Sequence, residues 1–160
     1  MKRIMLDTNI YGLIVVDTES KLIRVGLKSS GIIIYGNSVI RKELRATPKA
    51  HIDGINLRLD LLRLYDELVK KELTVKEQIA EAYAQAYAEL GGSVSLAKLK
   101  NDFLIVASAS EHNLDIVASE DNSTMLNELA MKAYRIINAS LRLGLPRFIG
   151  YEEFKRQIKK

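Results

Sequence analysis

Four acidic side chains in this 160-residue sequence stand where they could carry out chemistry together: Asp7, Glu43, Asp102 and Asp121. Clustered carboxylates repel one another, and a divalent cation relieves that repulsion. Oxygen ligands of this kind suit Mg²⁺ or Mn²⁺, which keep several waters and accept only a few carboxylates. Such a site lowers the pKa of a bound water, orients it for in-line attack on phosphorus and stabilises the leaving oxygen. It requires no histidine.

Glu43 lies on the apolar side of a predicted helix. At roughly 100° per residue it falls between Val39 and Ile40, whereas the basic residues of the same helix lie on the opposite side. A carboxylate on the apolar side loses water, which is costly unless a partner or a cation compensates. We therefore interpret Glu43 as part of a site and not of a solvated face.

Asp102 is placed in the same way on a second predicted helix. It shares a face with Ile105 and Val106, and this helix has almost no polar side before its end. Two alternatives remain open for this acid: a buried helix cap, or an ion pair with Lys98 or Lys100.

Asp7 and Asp121 each follow a predicted strand. Asp7 comes directly after the mainly apolar residues 3–6, and Asp121 comes a few residues after the mainly apolar residues 114–118. Each has an alternative role, because Asp7 suits the cap of the next helix and Asp121 suits a polar turn. In parallel sheets, functional groups gather beyond the carboxyl ends of the strands, so we expect both acids at one edge.

The hydrophobic pattern alternates strands with helices. Strands are predicted at residues 3–6, 31–35, 114–118 and 147–149. Helices are predicted at about residues 8–16, 18–28, 38–46, 52–73, 74–90, 95–110, 127–143 and 151–158. This alternation predicts an α/β fold with a central, mainly parallel sheet that helices cover on both faces.

A long helical hairpin is expected over about residues 52–90, within a single domain that spans residues 1–160. Thr74 and Glu77 have the spacing of a capping box, which would open the second helix of the hairpin. Gly91 and Gly92 would end it.

The composition is that of a soluble globular protein and excludes a disordered chain, with 48% hydrophobic and 28% charged residues. No segment approaches the about 18 apolar residues of a membrane span, and there is no cysteine, so we expect a cytoplasmic location. The net charge of +4 suits a nucleic-acid partner. The alternative is a solvated basic tail, since the last six residues contain Lys155, Arg156, Lys159 and Lys160.

These motifs resemble those of the PIN-domain family. The strand that runs into Asp7-Thr8-Asn9 is similar to the family's opening motif, and Glu43 resembles its second acid, on a helix after the second strand. Asp102, which precedes an apolar run, resembles the third acid. Ser119-Glu120-Asp121 is similar to the fourth motif, a hydroxyl and an acid after a strand. Residues 149–154 resemble the family's last strand and helix.

The resemblance implies a three-layer α/β/α sandwich and a Mg²⁺- or Mn²⁺-dependent endoribonuclease that hydrolyses RNA. The four acids would hold metal and water, and three polar residues would support them by hydrogen bonds: Thr8, Asn9 and Ser119. Many family members of this length resemble VapC-type toxins, which pair with a small antitoxin, and homodimers are frequent. Two alternatives within the family are an RNA-processing nuclease without an antitoxin and a catalytically silent binding domain. The chain departs from the family pattern at Phe103, where a small residue is common, and at Ser119, where threonine is commoner.

A phosphoacceptor receiver domain is a rival interpretation, because it also uses strand-end acids and Mg²⁺. It would need adjacent acids after the first strand and a lysine near the last, whereas Asp7 stands alone and Arg147 is no clear substitute. Basic residues flank two of the acids and are candidates for RNA phosphate contacts: Lys98, Lys100, Arg41, Lys42 and Arg45. The last three are interpreted first as a solvated face.

Overall fold

A computed structural model of the protein describes residues 1–52 and 54–159. Its strands are β1 (Lys2–Leu6), β2 (Ile32–Asn37), β3 (His51–Ile52), β4 (Ile55–Asn56), β5 (Val69–Leu73), β6 (Ile116–Ala118) and β7 (Arg147–Ile149). Its helices are α1 (Thr8–Val16), α2 (Ser20–Ser29), α3 (Ser38–Arg45), α4 (Leu57–Leu68), α5 (Glu77–Glu89), α6 (Leu96–Glu111), α7 (Glu128–Ser140) and α8 (Tyr151–Lys159). Asp53 and Lys160, which the predicted single domain includes, lie outside the described residues.

The central sheet has five parallel strands in the order β5-β2-β1-β6-β7. Leu6 at the end of β1 pairs with Ala118 at the end of β6, and the Asp7 N–H donates to the Ala118 carbonyl at 2.9 Å. The Ser119 N–H donates to the Ile149 carbonyl of β7, also at 2.9 Å. The carboxyl ends of three strands therefore meet at one edge, where Asp7 and Ser119 lie side by side.

Helices cover the sheet in two groups. α1 packs against α2, α3 and α4, whereas α5 packs against α6 and α7. The β1 residues Ile4, Met5 and Leu6 are fully buried between these layers. Burying each such side chain stabilises the folded state by roughly 1.5–3 kcal/mol. This burial holds β1, and with it the strand end where Asp7 lies, in a fixed position. The predicted α/β/α fold with a parallel sheet is confirmed.

Residues 69–73 form an edge strand and not the end of a helix, so the helix predicted at 52–73 was wrong in its extent. β5 pairs in parallel with β2, and α4 ends at Leu68. Val69 and Leu73 had been assigned to one helical face because they are four residues apart. That spacing also puts two residues on one face of a strand, whose period is two. The exposed Lys70 and Lys71 suit a sheet edge, where charges discourage pairing with other chains.

The predicted helical hairpin is also absent from the described part of the chain, since β5 separates its two helices. α4 packs against α1 and α3, whereas α5 packs against α6 and α7. The predicted capping box does not form, because α5 begins at Glu77 and the Thr74 hydroxyl lies 3.3 Å from Nε2 of His112 instead. The short antiparallel pair of β3 and β4 replaces the predicted first turn of helix. Within the described ranges, no helix has both the length and the apolarity to cross a bilayer.

Candidate active site

Asp7 occupies the N-cap of α1, at the edge where β1 and β6 end. Its Oδ1 accepts a hydrogen bond from the Thr8 N–H at 2.8 Å, so the helix-cap role and the position at the edge coexist. Its Oδ2 accepts from the Ser119 hydroxyl at 2.7 Å and from the Asn9 amide at 3.4 Å. Burial raises the pKa of Asp7 against the opposing effect of these hydrogen bonds, and the charge of Asp121 adds to the rise. Asp7 is therefore a buried carboxylate held by neutral donors.

Glu43 reaches the same edge from α3. The cap residue of this helix, Asn37, is fully buried and accepts a hydrogen bond from the Ile40 N–H at 3.0 Å, which fixes where the helix starts. The Thr8 hydroxyl donates to Glu43 Oε1 at 3.2 Å. Burial raises the pKa of Glu43, and the neighbouring charge of Asp7 raises it further. Glu43 thus lies beside Asp7, as its position on the apolar side of the helix required.

Asp102 is buried in the second turn of α6. Ser95 caps this helix, and neither Lys98 nor Lys100 forms an ion pair with Asp102 in the described chain, so neither alternative role holds. The pKa of Asp102 is raised to about 7, and burial is the largest cause. The charges of Asp7, Asp121 and Glu43 act in the same direction. This carboxyl therefore sits among the other three acids.

Asp121 lies in the turn after β6 and is more exposed than the other acids. Its Oδ1 accepts from the Ser123 hydroxyl and from the backbone N–H groups of Ser123 and Thr124, at 3.0–3.2 Å. Burial raises the pKa of Asp121, but the hydrogen bonds from Thr124 and Ser123 outweigh it and leave the pKa below its ordinary value. The expected polar turn is present, and it keeps Asp121 charged beside three acids whose pKa values are raised.

The four acids form one electrostatic group. Each of the four acids either raises the pKa of another or has its own pKa raised by another. None forms an ion pair with a basic side chain of the described residues. We refer to Asp7, Glu43, Asp102 and Asp121 as the acidic cluster. A group of uncompensated carboxylates at the carboxyl edge of a parallel sheet is an arrangement that attracts cations.

The donor chemistry of the acidic cluster fits Mg²⁺ or Mn²⁺, because these ions prefer carboxylate and hydroxyl oxygens. The Thr124 hydroxyl faces Asp102 and Asp121 and lowers the pKa of both, yet its Oγ1 is buried without a hydrogen bond of normal geometry. An unsatisfied buried oxygen beside carboxylates is a further candidate ligand. As the side chains stand, however, no three His, Cys, Asp or Glu residues of the described ranges are arranged to hold a metal ion.

The sequence model of the PIN domain matches residues 4–132, a stretch that contains all four members of the acidic cluster. The chain belongs to the PIN-domain family. PIN domains are generally nucleases, and these nucleases generally use divalent metals. No curated protein matches the sequence.

The fold of this PIN domain is similar to that of a solved structure. A chain in the crystal structure of VapBC2 from Rickettsia felis, bound to a DNA fragment from its promoter, superposes with a TM-score of 0.51 and 15% sequence identity. The similarity covers 92% of the present chain and 98% of the other. At this identity the comparison concerns the fold alone.

Polar neighbours of the acidic cluster in this PIN domain include residues that the sequence indicated and residues that it did not. Thr8, Asn9 and Ser119 each donate a hydrogen bond to a cluster acid. Asn101 and Thr124 were missed; the side chain of the first lowers the pKa of Glu43, and the second faces Asp102 and Asp121. The sequence contained a cue for each of them: Asn101 directly precedes Asp102, and Thr124 belongs to a pair of hydroxyl residues that follows Asp121.

Phe103 lies in the core of the PIN domain and not at the approach to the acidic cluster. Its ring packs edge-on against Tyr83, Tyr87 and Tyr134, with centroid distances of 5.7–6.1 Å. It is 1% exposed. The larger side chain at this position therefore fills an aromatic core.

Proposed function

We propose that the protein is a divalent-metal-dependent endoribonuclease that hydrolyses RNA phosphodiester bonds at the acidic cluster. The observation that carries the proposal is the convergence of four unpaired carboxylates, with the pKa of Asp102 raised to about 7, at the edge of a PIN fold. A divalent cation would offset the charge of such a group. We propose Mg²⁺ or Mn²⁺, held by Asp7, Glu43, Asp102 and Asp121, with side-chain movement on binding.

The polar neighbours hold the acids in place for this role. Ser119 and Asn9 fix one oxygen of Asp7, and Thr8 orients Glu43 through its hydroxyl. Asn9 also accepts from the Glu120 N–H at 3.3 Å, which ties the first strand end to the turn that carries Asp121. When bound, the metal would supply an activated water and stabilise the leaving oxygen. The protein side chains would supply its position, and Asp102 would bind it in the charged form.

Cleavage of a single-stranded RNA by the purified protein tests the proposal. We expect cleavage with Mn²⁺ or Mg²⁺, none with chelator, and a loss of at least 100-fold with Asp7→Asn, on the order expected for removing an essential ligand. Asp115→Asn is the matched control. Asp115 is exposed, directly precedes β6 and pairs with Arg3 at the amino ends of the strands, away from the acidic cluster. Cleavage that survives chelation, or full activity of Asp7→Asn, would reject the mechanism.

We further propose that the nuclease is a VapC-like toxin that acts in the cytoplasm, pairs with a small antitoxin and forms homodimers. The fold similarity to a chain of VapBC2 over nearly its whole length supports this assignment. Induced expression should arrest growth for the wild type and not for Asp7→Asn, and co-expression of a short neighbouring reading frame should restore growth. Sedimentation would give the oligomeric state. Cleavage without growth arrest, with no inhibitory partner, would favour an RNA-processing nuclease.

A further inference from the structure

A groove of about 590 Å³ opens beside the acidic cluster, between α3, the loop that follows β5, and the first half of α6. We call it the lysine groove. Its lining residues are Ser38, Val39, Lys42, Thr74, Val75, Glu77, Lys100, Asn101 and Leu104. Its volume is within the range of clefts that hold small ligands.

The lysine groove adjoins the acidic cluster. Asn101 lines the groove, and its side chain lies near enough to Glu43 to lower the pKa of that carboxyl. Lys42 directly precedes Glu43 on α3, and Lys100 lies two residues before Asp102 on α6. Both lysines of the groove are thus within two residues of an acid of the cluster.

Lys42 and Lys100 face the groove from different helices and have no acidic partner among the described residues. The neighbouring basic residues differ, because Arg41 pairs with Asp66 at 3.4 Å and Lys76 pairs with Glu111 at 2.9 Å. Lys42 is exposed, as a residue of a solvated face would be, but it also lines the groove, whereas Arg41 is half-exposed and paired. Two ammonium groups without an acidic partner, on two helices that line one groove, are suited to contact a phosphate.

The remaining surface of the groove includes apolar side chains. Leu104 is 6% exposed, and Val39 and Val75 are partly buried beside it. Glu77 is the groove's carboxylate and would repel a polyanion, so binding has to depend on the lysines. A groove lined by both lysines and apolar side chains matches the chemistry of a nucleotide, which carries a flat base and a charged phosphate.

We propose that the lysine groove binds one unpaired RNA nucleotide next to the bond that is cleaved. Its phosphate contacts Lys42 and Lys100, and its base packs on Val39, Val75 and Leu104. Only an unpaired base can be turned out of a stack into such a groove, so the substrate is single-stranded at this position. This inference rests on the proposed ribonuclease function, and it assigns that function a substrate class.

Binding of a fluorescent single-stranded RNA to the Asp7→Asn protein tests the groove without cleavage. We expect Lys42→Gln and Lys100→Gln each to weaken binding about 3- to 10-fold, and to lower the slope of log affinity against log salt by about one phosphate contact. Glu77→Gln should tighten binding. Lys98→Gln is the matched control, since Lys98 lies about 200° from Lys100 around α6 and is absent from the groove lining.

Several results would overturn the subsite: an equal loss for Lys98→Gln, an unchanged salt slope, equal affinity for duplex RNA, or no measurable RNA binding. If the wild-type protein binds RNA through the two lysines but cleaves none, the ribonuclease function would be rejected and RNA binding in the groove would be supported. In active protein, the two groove variants should raise KM and leave kcat nearly unchanged, because they act on binding and not on the acids.

Discussion

The hydroxyl of Ser119 donates a 2.7 Å hydrogen bond to Oδ2 of Asp7, and the two residues are 112 positions apart in the sequence. The same oxygen of Ser119 accepts from the Asp121 N–H at 3.1 Å. One hydroxyl thus links the first acid of the cluster to the turn that carries the last. The bond also lowers the pKa of Asp7, and so favours the charged form that a cation requires.

Ser119→Ala should reduce kcat/KM for RNA cleavage about 10-fold. The variant removes one hydrogen bond to a carboxylate, an interaction of roughly 1.5–3 kcal/mol, part of which water can replace. Ser119→Thr keeps the hydroxyl and should retain most activity. Steady-state kinetics at several Mn²⁺ concentrations measures both effects. Activity of Ser119→Ala equal to that of the wild type would show that Asp7 does not need this donor.

Asp102→Asn should change how stability depends on pH. The pKa of Asp102 rises from 3.8 to about 7 on folding, so the folded protein holds this proton more tightly than the unfolded chain. Stability from this group is therefore full below about pH 4 and is lost as the pH rises to about 7, at up to about 1.4 kcal/mol per pH unit.

Urea unfolding in chelator at pH 4.5 and pH 7.5 measures the effect. The advantage of wild type over Asp102→Asn should shrink or reverse at the higher pH, because asparagine does not titrate. Parallel stability profiles for the two proteins would contradict the assigned pKa.

Added Mn²⁺ should raise the melting temperature of the wild type. A ligand that binds only the folded state at 100 times its Kd stabilises by about 2.7 kcal/mol. The gain should be larger at pH 8 than at pH 6, because Asp102 must lose its proton before it binds a cation. Thermal melts should show no gain for Asp7→Asn and the full gain for Asp115→Asn. An equal gain in all three proteins would place the ion elsewhere.

Asn37→Ala should lower both stability and activity. Asn37 caps α3, the helix that carries Glu43, and losing an N-cap of this kind costs about 1 kcal/mol. Asn56→Ala is the control, because Asn56 caps α4 in the same way through the Leu59 N–H, and α4 carries no member of the acidic cluster. Denaturation assays should show a loss of stability in both variants, larger for the buried Asn37, and cleavage assays a loss of activity only in Asn37→Ala.

The positions of Glu43 and Asp102 could be predicted from the sequence, because an acid on the apolar side of a helix stands out against its neighbours. The edge strand β5 could not, since Val69 and Leu73 satisfy helical and extended spacing equally. Only pairing with β2 separates the two conformations. The hairpin prediction failed for the same reason, because it depended on a helix that continued to Leu73.

The position of Thr124 and the difference between Lys42 and Arg41 could not be predicted either. Thr124 reaches Asp102 only because the turn after Asp121 folds back on three hydrogen bonds to Oδ1. Lys42 and Arg41 are adjacent on α3 and alike in charge, and only the contact of Arg41 with Asp66 on α4 distinguishes them. Such differences arise from tertiary neighbours, which the local pattern does not contain.

The pairing of Leu6 with Ala118 has a consequence during synthesis on the ribosome. Asp7 emerges early, but the strand that brings Asp121 to it is translated more than a hundred residues later. A parallel pairing over that distance closes late in folding, because the long intervening chain must be ordered first. A stalled or truncated translation product that ends before residue 121 therefore carries an incomplete set of acids. The cell that makes this protein is exposed to a complete acidic cluster only after nearly the whole domain has been translated.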